Sequence, residues 1–391
     1  MQPYAWGCRG AQAFIPRLLG CAAVADQPFA ELWMGAHPSA PSRVVVGEHT
    51  LSLRDWVAAD PGAVLGQPVA AAFDGAFPFL FKVLSAADVL SIQAHPNREQ
   101  ARQLHARDPD HYPDANHKPE LAVALGDFRA MVGFRSFSEI QSLFRQYPPL
   151  TAFVGEETVA PLLTPSPARA RQRDLLRASF TALIRGAAER PASLARAVAA
   201  LARHIASSGP RDAAEALFLD LRARYEDTDV GLLILFFLNQ VHLQAGEGLF
   251  LPAGVPHAYI SGNIVECMAN SDNVVRAGLT PKFKDAETLV EILRYEPGPP
   301  PILSPVGAGY GESTREFRVN RWVWEASAEA VPMDGGRVQI LLVIQGRVVG
   351  RWPGGEMVVS RGQAVLVPGC LARFDVQAVE HTILFGATAG V

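Results

Sequence analysis

Two side chains that can bind a metal ion lie two residues apart, at Gln93 and His95. If residues 90–96 form a strand, successive side chains turn to opposite faces, so Gln93 and His95 point the same way. An amide oxygen and an imidazole then lie side by side, and both are neutral ligands for a zinc-like ion. The same pair would also suit the polar end of a strand, so the metal interpretation depends on ligands elsewhere.

Two other segments supply the missing ligand types. In residues 114–121, Pro119 biases the backbone away from helix and holds Glu120 at the start of an apolar run. Residues 246–259 are typical of a strand, a Pro/Gly turn and a second strand that begins at His257. Together the segments would surround a divalent ion with two imidazoles, one amide and one carboxylate. A position left for water or substrate is typical of a catalytic metal site rather than a structural one.

Six segments, in order along nearly the whole chain, resemble those of the type I mannose-6-phosphate isomerases (phosphomannose isomerases), zinc enzymes of the cupin superfamily. The segments are residues 4–7, 31–38, 78–84, 91–96, 116–120 and 265–285. The resemblance implies an enzyme of carbohydrate metabolism that interconverts mannose 6-phosphate and fructose 6-phosphate, with a role in GDP-mannose biosynthesis. It also implies one zinc ion per chain, bound by Gln93, His95, Glu120 and His257.

The implied reaction moves a proton between C2 and C1 of the sugar through an enediolate. A divalent ion with three neutral ligands and one carboxylate keeps about one unit of positive charge, which stabilises the enediolate oxygens. The candidates for moving the proton are Lys118, His117 and Glu266. Beside a divalent cation the charged form of Lys118 would be disfavoured, and Glu266 in an apolar strand is an equally good base. Each of the three could instead be an ion-pair partner, and the sequence does not choose among them.

The phosphate and the enediolate oxygens of the substrate require cations. Arg276 and Lys282 lie in one short segment, and an arginine suits planar anionic oxygens best. The resemblance assigns Arg276 to the active site as a catalytic residue. The predicted substrate-binding residues are Ser91, Lys82, Tyr259, Asp272 and Lys282.

Composition limits the possible partners. The chain has 391 residues, of which 49% are hydrophobic and 19% charged, as expected for a globular protein with a large core. A net charge of -4 without a dominant basic block predicts no nucleic-acid partner. The longest apolar run, residues 230–238, is shorter than the roughly 20 residues that span a bilayer, so no membrane partner is expected. Four scattered cysteines and the absence of a targeting pattern predict a cytoplasmic protein, and we expect a monomer.

The composition of the chain changes along its length and separates two kinds of segment. Residues 1–134 and 233–300 carry short apolar stretches between Gly and Pro, which predicts a discontinuous β domain. Residues 135–232 are rich in Ala, Arg and Leu and predict a helical insertion. Ser138 with Gln141 indicates a capping box. Before a predicted break at 207–210, four apolar residues share one helical face: Leu194, Val198, Leu201 and Ile205.

A second series of strands is predicted over residues 301–391, after a Pro-rich linker. Residues 362–369 loosely repeat the pattern of residues 246–254, and the segment has a single histidine, His381. The predicted fold class is therefore mainly β with a helical insertion. It comprises cupin (jelly-roll) barrels, of which the metal-bearing barrel is interrupted by an α-helical domain and the C-terminal barrel is metal-free.

Two alternative functions belong to other classes. Cupins with two histidines and one carboxylate also bind ferrous iron for oxygen chemistry, and some cupins only bind sugars. Gln93 argues against an oxygenase because it occupies a position that such an enzyme keeps open. A cation cluster argues against a non-catalytic binding protein, which would not need it: Lys118, Arg276 and Lys282.

Overall fold

The computed structural model describes residues 1–165, 168–207, 212–311 and 314–391. Its architecture is mainly β, with helices that precede, interrupt and follow the strands of the first unit. Residues 208–210 of the predicted break lie outside the described residues. The strands before residue 300 are β1 (Glu31–Gly35), β2 (Arg43–Val46), β3 (His49–Ser52), β4 (Phe79–Ala86), β5 (Ile92–Ala94), β6 (Glu120–Ala124), β7 (Phe128–Phe134), β8 (Leu238–Leu243), β9 (Gly248–Leu251), β10 (His257–Ala269) and β11 (Val275–Gly278).

Two antiparallel sheets share the long strand β10. Its C-terminal part pairs with β4 and β6, which gives the order β1-β4-β10-β6-β9. Its N-terminal part pairs with β5 and β7, which gives the order β11-β5-β10-β7-β8. A register shift between Tyr259 and Ser261 lies where the strand passes from one sheet to the other. Among the described residues the strand pairs do not close into a ring, and β2 and β3 form a separate hairpin.

Strand alternation turns the chemically active side chains of the first sheet into the space between the sheets. Leu84 of β4 and Ile264 of β10 belong to the inner core, whereas their neighbours in sequence pack outward. Because alternate residues share a face, three charged residues point inward with them. These residues are Lys82, Glu266 and, on β6, Glu120.

The second sheet is arranged in the same way. Its outer face packs against the helices through Ile92 and Ala94 of β5 and through Val275 and Ala277 of β11. Residues between these positions must therefore face inward, towards the first sheet. They are Gln93 of β5, Arg276 of β11 and, by the same alternation in β10, His257 and Tyr259.

The helices are mostly short, and the longest lie between β7 and β8. They are α1 (Phe14–Leu19), α2 (Leu53–Ala59), α3 (Pro61–Leu65), α4 (Gln67–Ala72), α5 (Arg98–Arg107), α6 (Phe137–Gln146), α7 (Pro148–Val154), α8 (Glu156–Val159), α9 (Arg169–Glu189), α10 (Pro191–Ser207), α11 (Ala213–Arg222), α12 (Gly231–Ile234), a 3-10 turn (Leu235–Phe237) and α13 (Ala286–Ile292). The predicted apolar face of α10 is confirmed, since all four of its residues are buried. No helix within the described ranges has both the length and the apolar character needed to cross a membrane.

The capping box of α6 lies two residues earlier than predicted. The Ser136 side chain accepts from the backbone of Glu139, and the Glu139 carboxylate accepts from the backbone of Ser136. The prediction of Ser138 with Gln141 is therefore wrong. Gln141 is buried and donates instead to the carbonyls of Leu162 and Thr164. Both serines have a suitable partner three residues on, and the structure begins the helix at Phe137, which makes Ser136 the N-cap.

The C-terminal unit is a sandwich of two four-stranded antiparallel sheets. Its strands are β12 (Arg318–Trp324), β13 (Val331–Asp334), β14 (Gln339–Gln345), β15 (Arg347–Trp352), β16 (Gly355–Ser360), β17 (Ala364–Val367), β18 (Arg373–Ala378) and β19 (Thr382–Thr388). The sheet orders are β12-β19-β14-β17 and β13-β18-β15-β16. A shared core that includes Phe81, Val265, Phe317 and Phe385 joins this sandwich to the outer face of β4, β6 and β10.

Candidate metal centre

Three predicted metal ligands converge in the space between the two sheets that share β10. Nε2 of His95 and Nε2 of His257 each lie 3.4 Å from the same oxygen, Oε2 of Glu120. All three residues are buried, and their ligand atoms lie within 4.8 Å of one another. Among the residues that the structure describes, none forms a hydrogen bond with His95 Nε2. A buried polar atom without a partner is costly, and an ion bound between the three side chains would satisfy it.

Backbone carbonyls fix the orientation of both histidines. Nδ1 of His95 lies 2.9 Å from the carbonyl oxygen of Asn273, and Nδ1 of His257 lies 3.0 Å from that of Val255. A carbonyl can only accept, so each Nδ1 carries the proton and each Nε2 presents its lone pair to the cluster. Burial lowers the pKa of His95 to about 4, so its ring is neutral, and therefore able to bind a metal, at neutral pH.

The fourth predicted ligand lies beside the other three. The side-chain amide of Gln93 approaches His257 Nε2 at 3.4 Å, and Ser91 Oγ donates to Gln93 Oε1 at 3.3 Å. Turning the amide by 180° would present its oxygen to the same position. Gln93 is the register partner of both His257 and Arg276, so the three side chains form a row across β10, β5 and β11. The structure thus brings Arg276 and Ser91 next to the ligand set.

Arg276 has an unusual environment for a cation. Burial disfavours its charge and lowers its pKa. In the ranges that the structure describes, no residue accepts a hydrogen bond from its guanidinium or forms an ion pair with it. An unpaired guanidinium that is half-buried beside a metal-binding cluster is suited to an anionic ligand.

Lys118 is the candidate proton carrier nearest to the ligands. Its Nζ lies 3.3 Å from Oε1 of Glu120, the carboxylate oxygen that is not shared with the histidines, and the side chain is buried. Burial favours the neutral form of Glu120, but attraction to neighbouring positive charge, including that of Lys118, outweighs it and holds the carboxyl pKa well below its usual range. Glu120 is therefore ionised and available as the single anionic ligand.

Glu266 and Lys82 form a buried network with two further side chains. Lys82 Nζ lies 2.5 Å from Glu266 Oε2 and 3.3 Å from Glu31 Oε1, and the Tyr259 hydroxyl donates to Glu266 Oε1 at 2.5 Å. Burial opposes the charge of Lys82, but the two carboxylates outweigh it and raise the lysine pKa. Both oxygens of Glu266 are thus occupied, and Lys82 is a persistent cation.

This network allows a prediction about stability. Lys82→Met should lower the free energy of unfolding by about 3–5 kcal/mol, because two buried carboxylates lose their cation. The matched control is Lys284→Met, whose ammonium lies 3.7 Å from Asp229 and whose side chain is 40% exposed. That change should cost less than about 1 kcal/mol. Urea unfolding of the metal-free proteins measures both values, and equal losses would contradict the prediction.

Three other predicted residues lie farther from the ligand cluster. His117 turns towards the C-terminal sandwich, where its Nε2 lies 2.9 Å from Glu316 Oε1. Asp272 is exposed, and its carboxylate lies 3.4 Å from Nε2 of the buried His37, whose hydrogen bond lowers the aspartate pKa. Lys282 is exposed, with Nζ 5.9 Å from the centroid of the Tyr4 ring.

Sequence reasoning missed two carboxylates that organise the site. Asp114 accepts from the Ser271 hydroxyl, from Asn273 Nδ2 and from the backbone of Asp272, so it ties the segment before Glu120 to the segment that holds His95. Glu31 accepts from Trp33 Nε1 at 2.7 Å as well as from Lys82. The available signal was their position, since Glu31 begins one of the six motif segments and Asp114 begins the segment of residues 114–121 that contains Glu120.

The site is identified by its chemistry rather than by cavity size. Two surface cavities of about 450 and 410 Å³ contain none of the four predicted ligands. The first lies beside Arg173 and Arg294, and the second lies between β1 and the C-terminal sandwich.

Comparison with known proteins relates this geometry to one family. Residues 1–137 match the model of the phosphomannose isomerase type I catalytic domain. The mannose-6-phosphate isomerase of Rattus norvegicus is 38% identical, over 94% of this chain and 91% of the relative. That of Homo sapiens is 42% identical, over 76% and 72%.

Solved structures give the same relationship. A crystal structure of a phosphomannose isomerase mutant from Salmonella typhimurium superposes with a TM-score of 0.87 and 33% identity, over 100% of this chain and 97% of that one. A zinc-bound mannose 6-phosphate isomerase gives a TM-score of 0.86 with the same identity and coverage. Similarity that extends over nearly the whole length of these proteins means that the chain belongs to the type I mannose-6-phosphate isomerase family.

Proposed function

We propose that this protein is a zinc-dependent aldose-ketose isomerase that interconverts mannose 6-phosphate and fructose 6-phosphate by proton transfer through an enediolate. The observation that carries the proposal is the convergence of two buried imidazoles on one ionised carboxylate, with Gln93 and Arg276 in the adjacent row. Membership of the family and the zinc-bound relative support it.

The four side chains that would hold the zinc ion are Gln93, His95, Glu120 and His257. When bound, a zinc ion supplies Lewis-acid stabilisation of the negative oxygens of the sugar. His95 and His257 are held by backbone carbonyls, so they would keep their lone pairs directed at the ion throughout the reaction.

We assign the proton transfer to Lys118 rather than to His117, whose Nε2 contacts Glu316. Contact with Glu120 keeps the lysine beside the ligand cluster, and a cation bound there would disfavour the charged form of Lys118. Glu266 is a weaker candidate, because Lys82 and Tyr259 already occupy both of its oxygens. The pocket would instead be lined by Glu266, Tyr259 and Lys82, whose charges would set its electrostatic potential.

Arg276 would stabilise the enediolate oxygens, since it lies in the ligand row and no carboxylate in the described part of the chain pairs with it. Ser91 would orient the Gln93 amide through its hydrogen bond. Asp272 and Lys282 lie on exposed segments, where they would contact the distal part of the sugar phosphate. Lys282 would meet the phosphate, because an exposed lysine binds phosphate as a mobile point charge.

We also propose a division of the chain into three units. Residues 1–134 and 233–300 would form a discontinuous catalytic cupin barrel, residues 135–232 its helical insertion, and residues 301–391 a metal-free cupin-like barrel. Two sheets that share β10, and a second pair of antiparallel sheets, support this division. Limited proteolysis followed by mass spectrometry would test the boundaries.

A coupled assay tests the proposed reaction in both directions. The purified protein should convert mannose 6-phosphate and fructose 6-phosphate into each other, lose the activity on chelation and regain it when zinc is returned. Metal analysis of the same protein separates the alternatives. One zinc ion per chain supports the isomerase, bound iron would favour an oxygenase, and activity that survives complete chelation would contradict the proposal.

Solvent hydrogen should enter the product if the enediolate is formed. An abstracted proton rests on a side chain that exchanges with water, so fructose 6-phosphate converted in deuterated water should give mannose 6-phosphate with deuterium at C2. Partial labelling is the expected result, because the burial of Lys118 slows exchange. Mass spectrometry and proton NMR measure the label. Transfer of all the deuterium of a C2-labelled substrate to C1, without any solvent label, would refute the enediolate and require a hydride shift.

A further inference from the structure

A buried carboxylate near the end of the helices between β7 and β8 holds the backbone that follows β11. Asp229 lies just before α12 and is 7% exposed. Its Oδ1 accepts from the backbone N–H groups of Gly231 and Leu279, each at 2.8 Å. Its Oδ2 accepts from the backbone N–H of Thr280 at 3.4 Å. One carboxylate therefore joins the start of α12 to the first two residues after the strand that carries Arg276.

The backbone that Asp229 holds has a conformation that is unusual for its residue type. Leu279 has a φ of 55°, in the left-handed region that a leucine rarely adopts. The other non-glycine residues with positive φ in the described ranges are aspartates, which tolerate this region better: Asp26 and Asp74. A strained conformation persists only where its surroundings impose it. Here they are the hydrogen bond to Asp229 and the burial of the Leu279 side chain among the helices.

Two glycines allow the segments to approach each other this closely. A Cβ atom on Gly278 would lie 2.5 Å from the backbone nitrogen of Gly231. A Cβ atom on Gly231 would lie 2.7 Å from the backbone nitrogen of Leu279. No side chain fits at either position unless one backbone moves away from the other, so the end of β11 and the start of α12 are in direct backbone contact.

The strand β11 has few other backbone contacts that could fix its position. It pairs with β5 along one edge, and no strand in the described ranges pairs with its other edge. The pairing with β5 is itself irregular, since the register shifts between Arg276 and Gly278. The Arg276 guanidinium has no hydrogen-bond or ion-pair partner among the described residues. Its place beside Gln93 therefore depends on the backbone of β11.

A lysine completes the surroundings of the carboxylate. Lys284 Nζ lies 3.7 Å from Oδ2 of Asp229, and the lysine side chain is 40% exposed. An ion pair of this length at the surface contributes little, because water competes for both charges. The backbone N–H donors are therefore the contacts through which Asp229 holds the segment.

We propose that Asp229 is a positioning residue for Arg276, which it keeps at the metal-binding row by fixing the backbone immediately after β11. The inference rests on the proposed function, in which Arg276 stabilises the enediolate oxygens. It gives the helices between β7 and β8 a part in catalysis, although no predicted site residue lies in them. A small backbone shift is sufficient, because a misplacement of about 1 Å at an active site can lower the rate about 100-fold.

Kinetics of Asp229→Ala test the role. We expect kcat/KM to fall by about 10–100-fold with zinc content unchanged, because the metal ligands lie on other segments. In an Arg276→Ala background the same change should have no further effect, since it acts through the guanidinium that is missing. Asp229→Asn keeps an oxygen that can accept from the Leu279 backbone, so it should recover most of the activity.

Two control variants separate the backbone contacts from the loss of a charge. Lys284→Met removes the ion pair but leaves the hydrogen bonds of Asp229, and it should keep wild-type kcat/KM. Asp220→Ala, which removes an exposed aspartate of α11 that pairs with Arg224, should also keep it. The proposal would be overturned if a folded Asp229→Ala variant had unchanged kcat/KM, or if its loss and that of Arg276→Ala were additive.

A second variant tests the same contact from the other side if Asp229→Ala does not fold. Gly231→Ala keeps the carboxylate but places a methyl group against the Leu279 backbone, so it should lower kcat/KM in the wild type and not in Arg276→Ala. Its control is Gly126→Ala, where a Cβ atom would meet no described atom within 4 Å. Equal kcat/KM for the two alanine variants would also overturn the proposal.

Hydrogen exchange tests the positioning without relying on activity. In the protein as purified, peptides that cover residues 275–284 should exchange faster in Asp229→Ala or Gly231→Ala than in the wild type, whereas peptides from β14 should not change. Unchanged exchange over residues 275–284 in both variants would overturn the proposal. An inactive wild-type protein would contradict the proposed function, whereas the exchange would still decide whether Asp229 holds the segment after β11.

Discussion

Glu120→Ala and His257→Ala should each lose bound zinc and isomerase activity together. Each change removes one of the four proposed ligands, and both residues belong with His95 to a buried cluster whose ligand atoms lie within a few ångströms of one another. Glu120→Ala also removes the only anionic ligand and leaves Lys118 without its 3.3 Å partner. We expect kcat/KM to fall by well over about 100-fold, since the loss of outer partners of metal ligands alone costs about 10–100-fold.

Metal content measured by mass spectrometry after dialysis, together with the coupled assay, checks this result. The control is His242→Ala on β8, whose side chain is 58% exposed and contacts Asp127 and Gln244 at the surface. It should keep both zinc and activity. If Glu120→Ala or His257→Ala retained a full equivalent of zinc, the ligand assignment would be wrong.

Arg276→Ala should leave zinc content intact while lowering kcat/KM by about two to four orders of magnitude. This is the range typical of losing one preorganised charge beside a developing oxyanion. The guanidinium lies in the row formed with Gln93 and His257, and it has no carboxylate partner within the described residues. The substitution therefore removes few interactions within the chain, and the folded structure should persist.

Two comparisons make the Arg276 result specific. Arg276→Lys keeps the charge but not the planar pair of donors, so it should recover only part of the activity. Lys282→Ala, on the neighbouring exposed segment, should mainly raise KM. Near wild-type kinetics for Arg276→Ala would exclude it as a catalytic residue, whereas a change in KM alone would make it a substrate-binding residue.

Local patterns in the sequence were sufficient to predict the types of metal ligand and the alternation of strands and helices. Strand alternation predicted that Gln93 and His95 share a face, and in the structure His95, one residue beyond the end of β5, lies with Glu120 and His257. The apolar face of α10 follows from helical periodicity in the same way. Such patterns depend on residues a few positions apart, so they can be recognised without knowledge of the tertiary fold.

Contacts between distant segments could be decided only by the tertiary structure. Sequence left Lys118, His117 and Glu266 as equal candidates, and the structure separates them by their partners. Glu266 is held by Lys82 and Tyr259, while His117 faces Glu316, nearly two hundred positions later in the chain.

The physical reason is that such partners are determined by strand register and by the docking of whole units. Arg276 lies beside Gln93 because β11 pairs with β5 in one register, and a shift by one residue would turn the arginine to the opposite face. Glu316 reaches His117 because the core around Phe317 docks the C-terminal sandwich on the first unit. The amino-acid sequence determined the types of side chain that the site contains, and the tertiary structure decided which of them meet.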